Sequence, residues 1–299
     1  MKVKDGIIGF IVGDALGVPV EFKSRHDLQE NPVTGMRGYG TYCQPKGTWS
    51  DDSAMTLATM HSIVQKQGID YDDMMDKFVE WLDNAKYMQG DDTFDSGITT
   101  SSAIHRYEYE NISPVECGGT GDRDNGNGSL MRILPLAYLD DIDYETIENV
   151  SGLTHRHKRS KISCVLYVEI AKSMLENDLT IEEHVNLACD KIKEHYKDSS
   201  ELEHFEKIFN KDFDDISGKG YVIYTFECVI HCLLTTDNYA DAVLKAVNIG
   251  EDTDTNAAIC GGLAGIYYGF DSIPVDWTKE IRCLDKVESL CERYEAFLS

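Results

Sequence analysis

Basic residues are scarce in this chain. Lys and Arg number 28 against 53 Asp and Glu, a formal net charge of −25 over 299 residues. A phosphate backbone is met by clustered cations, so this balance argues against a nucleic-acid-binding protein. The local exception is the run His155-Arg156-His157-Lys158-Arg159. Proline is sparse too, at 6 residues. No Gly-, Ser- or Pro-rich linker and no internal repeat divides the sequence, which makes a single domain over residues 1–299 the simplest organisation. Long apolar runs are missing as well. The most apolar stretch, Gly6 to Gly13, stops at Asp14, far short of the roughly 20 residues that span a membrane. The 9 cysteines are scattered; Cys228 and Cys232 stand at i, i+4 with no second pair to complete a zinc site. They read as buried free thiols of a cytoplasmic protein.

What is present is helical periodicity. With 42% hydrophobic and 27% charged residues the composition is that of an ordinary globular protein. Met74, Phe78, Trp81 and Leu82 recur at i, i+4, i+7, i+8, and Ile162, Val165, Leu166 and Ile170 at i, i+3, i+4, i+8 with Glu169 turned outward. Val243, Val247 and the run Ala257 to Tyr268 continue the pattern, so the expected fold is all-α, many helices packed together. Two polar, Gly-rich interruptions stand out, residues 117–128 and 213–220, and fixed loops of that kind are where sites collect.

Most acidic residues need only water, but three clusters sit beside turn residues at the ends of apolar elements. In Gly13 to Phe22, Asp14 lies near the end of a helix that begins near Val3, Pro19 bars its continuation, and Glu21 stands between Val20 and Phe22. Taken alone this reads equally as a helix end followed by a surface Glu. In Gly47 to Thr56, Ser50 or Asp51 is a candidate N-cap for a helix running from about Ala54. Capping and the helix dipole explain one carboxylate there, but explain Asp51 beside Asp52 less well. In Gly250 to Ala258, the turn Glu251-Asp252-Thr253-Asp254-Thr255 opens a very apolar helix whose Gly261, Gly262 and Gly265 let a neighbour approach closely. Burying its carboxylates uncompensated is very costly, and no Lys or Arg is adjacent. A hard cation is the economical partner of such oxygen-rich turns. Two hydroxyl–Asp turns then imply one binuclear centre shared between two helix N-termini.

In their order along the chain, the blocks GDALGVPVEF (13–22), GTWSDDSAMT (47–56), NGNGSLMRILPLA (125–137), LTH (153–155), GYVIYTFE (220–227) and GEDTDTNAAICGGLAGIYYG (250–269) resemble the ADP-ribosylglycohydrolase family. The resemblance spans nearly the whole chain. It implies an all-α fold with two divalent metal ions, Mg²⁺ or Mn²⁺. By motif it makes Ser50, Asp51 and Asp52 metal ligands from one side and Asp252, Asp254 and Thr255 from the other, with Asp254 bridging. Glu21 matches a glutamate that approaches the metals and the scissile bond. Asn125, Gly126, Asn127, Gly128 and Ser129 match the loop that receives ribose and diphosphate, and His155 and Tyr221 match substrate contacts. Taken alone, His155 reads nearly as well as a surface or capping residue, and Tyr221 more readily as core than as a substrate contact. Ser50 stands where many members have Thr, which keeps the hydroxyl; Glu251 stands where Gly is common.

The substrate half implied is ADP-ribose on a protein side chain or a small molecule. Cleavage at the anomeric carbon develops positive charge on the ribose, which surrounding carboxylates stabilise, and Glu21 or Asp51 is the candidate general acid or base. The diphosphate suits the Gly-rich loop if a helix starts near Ser129 or Leu130. Arg132 in that block reads as a brace for a carboxylate or for the loop. An acidic rim including Glu251 favours a cationic arginine acceptor over serine or nucleobase. Two other readings are open. One is a binuclear phosphoester hydrolase, whose sites usually include His, absent from both acidic turns. The other is a non-catalytic ADP-ribose-binding or toxin-immunity protein. The sequence does not set the oligomeric state.

Overall fold

Fourteen α-helices build the fold in the computed structural model, which describes residues 3–299, and the only β pairings among the described residues are isolated bridges. In chain order they are α1 (Val3–Gly17), α2 (Arg25–Glu30), α3 (Asp51–Lys66), α4 (Tyr71–Asn84), α5 (Ile98–Glu110), α6 (Tyr144–Gly152), α7 (Lys158–Glu176), α8 (Ile181–His195), α9 (Glu206–Asn210), α10 (Val222–Leu234), α11 (Tyr239–Asn248), α12 (Thr253–Tyr268), α13 (Val275–Glu280) and α14 (Leu284–Leu298). Their starts follow from side-chain caps: Ser50 for α3, Asp70 for α4, Asp143 for α6, Thr180 for α8 and Asn238 for α11. None is long and apolar enough to cross a membrane.

α1 and α12 form the centre, buried almost all round, with α3, α7, α10, α11 and α14 packed about them. Both are rich in small residues, and that sets their spacing. A Cβ on Gly9 would stand 2.5 Å from Gly261 O, one on Gly13 2.1 Å from Ala257 O, and one on Gly17 2.3 Å from the backbone of Asp254. The pair runs antiparallel, so the C-terminal end of α1 meets the N-terminal end of α12. This crossing brings the Glu21 segment to the Asp252–Thr255 turn. Gly13→Ala is therefore expected to force the two helices apart and to destabilise the fold by about 1–3 kcal/mol or more, read by urea unfolding. An unchanged midpoint would refute this account of the crossing.

Three local expectations are corrected. No α-helix follows the Gly-rich loop at Ser129 or Leu130; two short 3₁₀ turns, Leu130–Arg132 and Leu134–Tyr138, stand there. Pro135 has no N–H to donate and disfavours a helical residue before it, so the segment cannot run on as one helix. The helices expected from Ala54 and Ala257 begin earlier, at Asp51 and Thr253, so the acidic residues lie inside their first turns. Glu169 does not face water: it is buried and pairs with Lys191 of α8 at 2.6 Å. The central thiols Cys228, Cys232 and Cys260 are free and buried, as read from the sequence.

Candidate active site

Two acidic helix starts meet beneath one cleft. At α3, Ser50 Oγ accepts from the Asp52 N–H at 3.3 Å and lies 3.1 Å from Asp52 Oδ2. Asp14, near the end of α1, reaches across to this turn. It accepts from Ser50 N–H at 2.9 Å, Ser53 N–H at 3.0 Å and the Ser53 hydroxyl at 2.5 Å. At α12, Asp252 Oδ2 accepts from Asn127 Nδ2 at 2.6 Å, and Asp254 Oδ1 from Thr255 N–H at 3.0 Å. Helix N-termini favour carboxylates, which explains why both turns tolerate them.

Glu21 arrives from a 3₁₀ turn, Val18–Val20, that continues α1. Its successor Phe22 donates to Glu251 O at 2.7 Å, and Glu251 N–H donates back to Lys23 O at 2.7 Å. Phe22 and Glu251 both hold positive φ, 64° and 68°, a conformation that this pair of backbone bonds enforces. Asp95, between α4 and α5, completes the group; the Tyr42 hydroxyl donates to Asp95 Oδ1 at 2.7 Å, and the Tyr42 ring packs on Phe94. Asp14, Asp52 and Asp254 offer oxygens within 4.8 Å of one another, and so do Glu21, Asp95 and Asp254. Asp254 belongs to both groups.

Among the described residues no Lys or Arg forms an ion pair with this cluster. Burial, only partly offset by Ser53 and Ser50 hydrogen bonds, pushes Asp14 up to about 6. Burial likewise brings Asp252 to about 6, and burial followed by the Asp95 charge pushes Glu21 up to about 9. Asp51, Asp52 and Asp254 lie well above the usual carboxylate range, from burial first and then from one another and their acidic neighbours. Glu21 Oε2, Asp52 Oδ1 and Asp254 Oδ2 are buried without any hydrogen-bond partner. Orphaned carboxylate oxygens at the junction of two acidic groups are a donor set that fits hard divalent cations.

The cleft above has a volume of about 480 Å³. Glu21, Asp51, Asp95 and Asp252 line its acidic side, and Gly126, Asn127, Gly128 and His155 another wall. The Gly-rich loop is pinned by Asn127 N–H to Gly220 O at 3.1 Å and Val222 N–H to Asn125 O at 3.0 Å. Gly128 threads a gap: a Cβ there would meet His155 Cε1 at 2.8 Å and Thr100 Oγ1 at 2.9 Å. Of the residues singled out in sequence, Asn125, Ser129 and Tyr221 stand back from the cleft. Asn125 Oδ1 accepts from Ser160, and Ser129 Oγ from Ser151. Tyr221 pairs through its backbone with Gly126, and its ring lies beside Tyr224 and under Arg159. Asp14 and Asp95 were not among the candidate site residues.

The protein is thus an all-α domain that gathers two acidic helix starts under one Gly-loop cleft. The family model for ADP-ribosylglycohydrolase matches residues 1–298, and the chain belongs to that family. Its reaction is hydrolysis of the glycosidic bond to ADP-ribose. The chain is similar to the ADP-ribosylarginine hydrolase Tri1 of Serratia proteamaculans, 28% identical over 98% of this chain and 78% of that one. It is also similar to the ADP-ribosyl-[dinitrogen reductase] glycohydrolase of Rhodospirillum rubrum, 28% identical over 92% and 88%. A solved structure described as an ADP-ribosylglycohydrolase-related protein complex superposes with a TM-score of 0.83 at 25% identity, covering 100% of this chain and 98% of that one.

Proposed function

We propose that the protein removes ADP-ribose from arginine side chains of modified proteins and that its acidic floor holds two divalent cations, Mg²⁺ or Mn²⁺. The observation that carries this reading is the pair of carboxylate groups sharing Asp254, with orphaned oxygens, at a cleft walled by the Gly-Asn-Gly loop. Ser50, Asp51 and Asp52 would hold the cations from one side, Asp252, Asp254 and Thr255 from the other, with Asp14 and Asp95 alongside. Bound there, the cations supply Lewis-acid binding of the ribose hydroxyls and a lowered pKa for water.

The chain's own residues do the rest. Glu21 lines the cleft with a free Oε2 and moves the proton between water and the leaving nitrogen, with Asp51 as the second carboxyl in reach of the cleft. The acidic floor stabilises the positive charge that develops on the ribose. The diphosphate lies along Gly126–Gly128, where the absence of side chains leaves it room. The loop runs on into a 3₁₀ turn at Leu130 rather than an α-helix, and Lys219 on the rim and His155 supply the complementary groups. At the mouth, Phe22 is 66% exposed beside Glu251 and Asp95. An aromatic face among carboxylates suits a planar guanidinium, and the Serratia relative's name specifies the same acceptor.

The test is release of free ADP-ribose from ADP-ribosyl-arginine and ADP-ribosyl-serine peptides with Mg²⁺, Mn²⁺ or chelator. Cation-dependent release from the arginine peptide is expected. AMP as product would instead identify a phosphoester hydrolase, and binding without turnover a non-catalytic protein. Glu251→Gln is expected to raise KM for the arginine peptide several-fold and leave kcat unchanged, since a rim charge acts on capture. An unaltered KM would remove Glu251 from acceptor recognition.

A further inference from the structure

Arg132 is fully buried, and no ion pair joins it to a carboxylate among the described residues. Its Nη2 donates to Val150 O at 3.0 Å and to Thr154 Oγ1 at 2.8 Å, and its plane lies over the Phe78 ring at 4.8 Å. Thr154 is fully buried as well. Its hydroxyl spends a lone pair on Arg132 and keeps one hydrogen to give. The acceptor within reach is His155 Nδ1, 3.0 Å away. A buried hydroxyl hydrogen left without an acceptor is costly, so Nδ1 accepts, and in a neutral imidazole the proton then resides on Nε2.

Nε2 is the ring atom on the cleft side. A Cβ on Gly126 would stand 3.5 Å from it, and one on Gly128 3.4 Å, while His155 itself lines the cavity. The ring stays neutral, because burial and then the nearby Arg132 charge hold it down to about 3. Arg132 thus gives the loop something other than a counter-ion: it orders a hydroxyl that orders a ring.

We infer that Arg132 and Thr154 are positioning residues that lock His155 as its Nε2–H tautomer, so that it meets bound ADP-ribose as a fixed hydrogen-bond donor to an oxygen and takes no part in proton transfer. The donor role rests on the reading of the cleft as an ADP-ribose site; the tautomer does not. The ring proton is observed directly in long-range ¹H–¹⁵N NMR of ¹⁵N-histidine-labelled protein without ligand, the His155 signals being assigned by their loss in His155→Gln. Wild type is expected to show protonated Nε2 and bare Nδ1. Thr154→Ser keeps that pattern, and Thr154→Val gives mixed tautomers and binds ADP-ribose roughly tenfold more weakly, the scale of one hydrogen bond to an anion. A protonated Nδ1 in wild type overturns the inference, as does a Thr154→Val protein with unchanged tautomer and affinity. If Thr154→Val fails to fold, the wild-type tautomer decides alone. Wild-type protein that shows the Nε2–H form but does not bind ADP-ribose overturns the cleft reading and the donor role, and leaves the relay standing.

Discussion

Asp254→Asn is expected to abolish turnover and, in the presence of chelator, to make the protein harder to unfold. The two effects have one cause. Asp254 is the residue common to both carboxylate groups, fully buried, with Oδ2 unpaired. An asparagine keeps the oxygen that accepts from Thr255 N–H and turns the other atom into an amide donor among the carboxylates Glu21, Asp52 and Asp95. Without cations, that swap replaces a buried carboxyl, which must hold a charge or take up a proton on folding, by a neutral amide that offers its neighbours a hydrogen bond. With cations, it removes the shared ligand. Wild-type protein at a cation concentration of about a hundred dissociation constants gains roughly 2.7 kcal/mol of stability, and the variant loses that gain. The rate falls by about three orders of magnitude or more, because charge stabilisation at the reacting ring is lost with the ligand. Peptide hydrolysis and urea unfolding, each with chelator and with Mn²⁺, check both halves. Normal turnover by the variant would end the binuclear reading.

Much of this arrangement is legible in the residue order, and what is not shares a character. Helices follow from apolar spacing and from caps such as Ser50 and Thr180, which act within a few residues. The Gly261 to Gly265 stripe announces a close neighbour but cannot say that α1 is that neighbour, because the contact joins opposite ends of the chain. Asp14 carries one readable clue. It sits on a helix with no polar face, between Gly13 and Ala15, so no water side is available to it. Asp95 carries none: it lies in irregular chain between α4 and α5, and Tyr42 from far upstream holds it. The Gly-Asn-Gly loop is recognisable as a site, but its internal division is not. Gly126, Asn127 and Gly128 face the cleft, while Asn125 and Ser129 are spent on Ser160 and Ser151. Arg132 likewise reads as a brace, and only packing reveals that it braces a hydroxyl and a carbonyl.

The cation-free protein is expected to lose stability as pH rises from 7 to about 8.5. Carboxyls whose folded-state affinity for protons exceeds the unfolded one contribute stability below their ordinary values, 3.8 for Asp and 4.5 for Glu, and that stability drains away as pH passes through the raised values. Asp14 and Asp252, at about 6, have released their protons by pH 7. Glu21, at about 9, has not; burial and their acidic neighbours push Asp52 and Asp254 in the same direction. Buried histidines such as His155 act with the opposite sign, but only below their ordinary 6.5. Buried thiols such as Cys189 and Cys291 act with the same sign, but only near and above their ordinary 9.0. The interval between belongs to the cluster. Each proton held by the folded state alone costs about 1.4 kcal/mol per pH unit, or about 2 kcal/mol across it. Saturating Mn²⁺ should flatten or reverse the slope, since cations bind the ionised ligands and displace those protons. Asp254→Asn in chelator should show a smaller fall than wild type. Urea unfolding at intervals across pH 7 to 8.5 measures all three curves. A flat curve for chelated wild type would mean that the buried carboxyls titrate as ordinary surface groups, and the case for a cation-holding floor would fall with it.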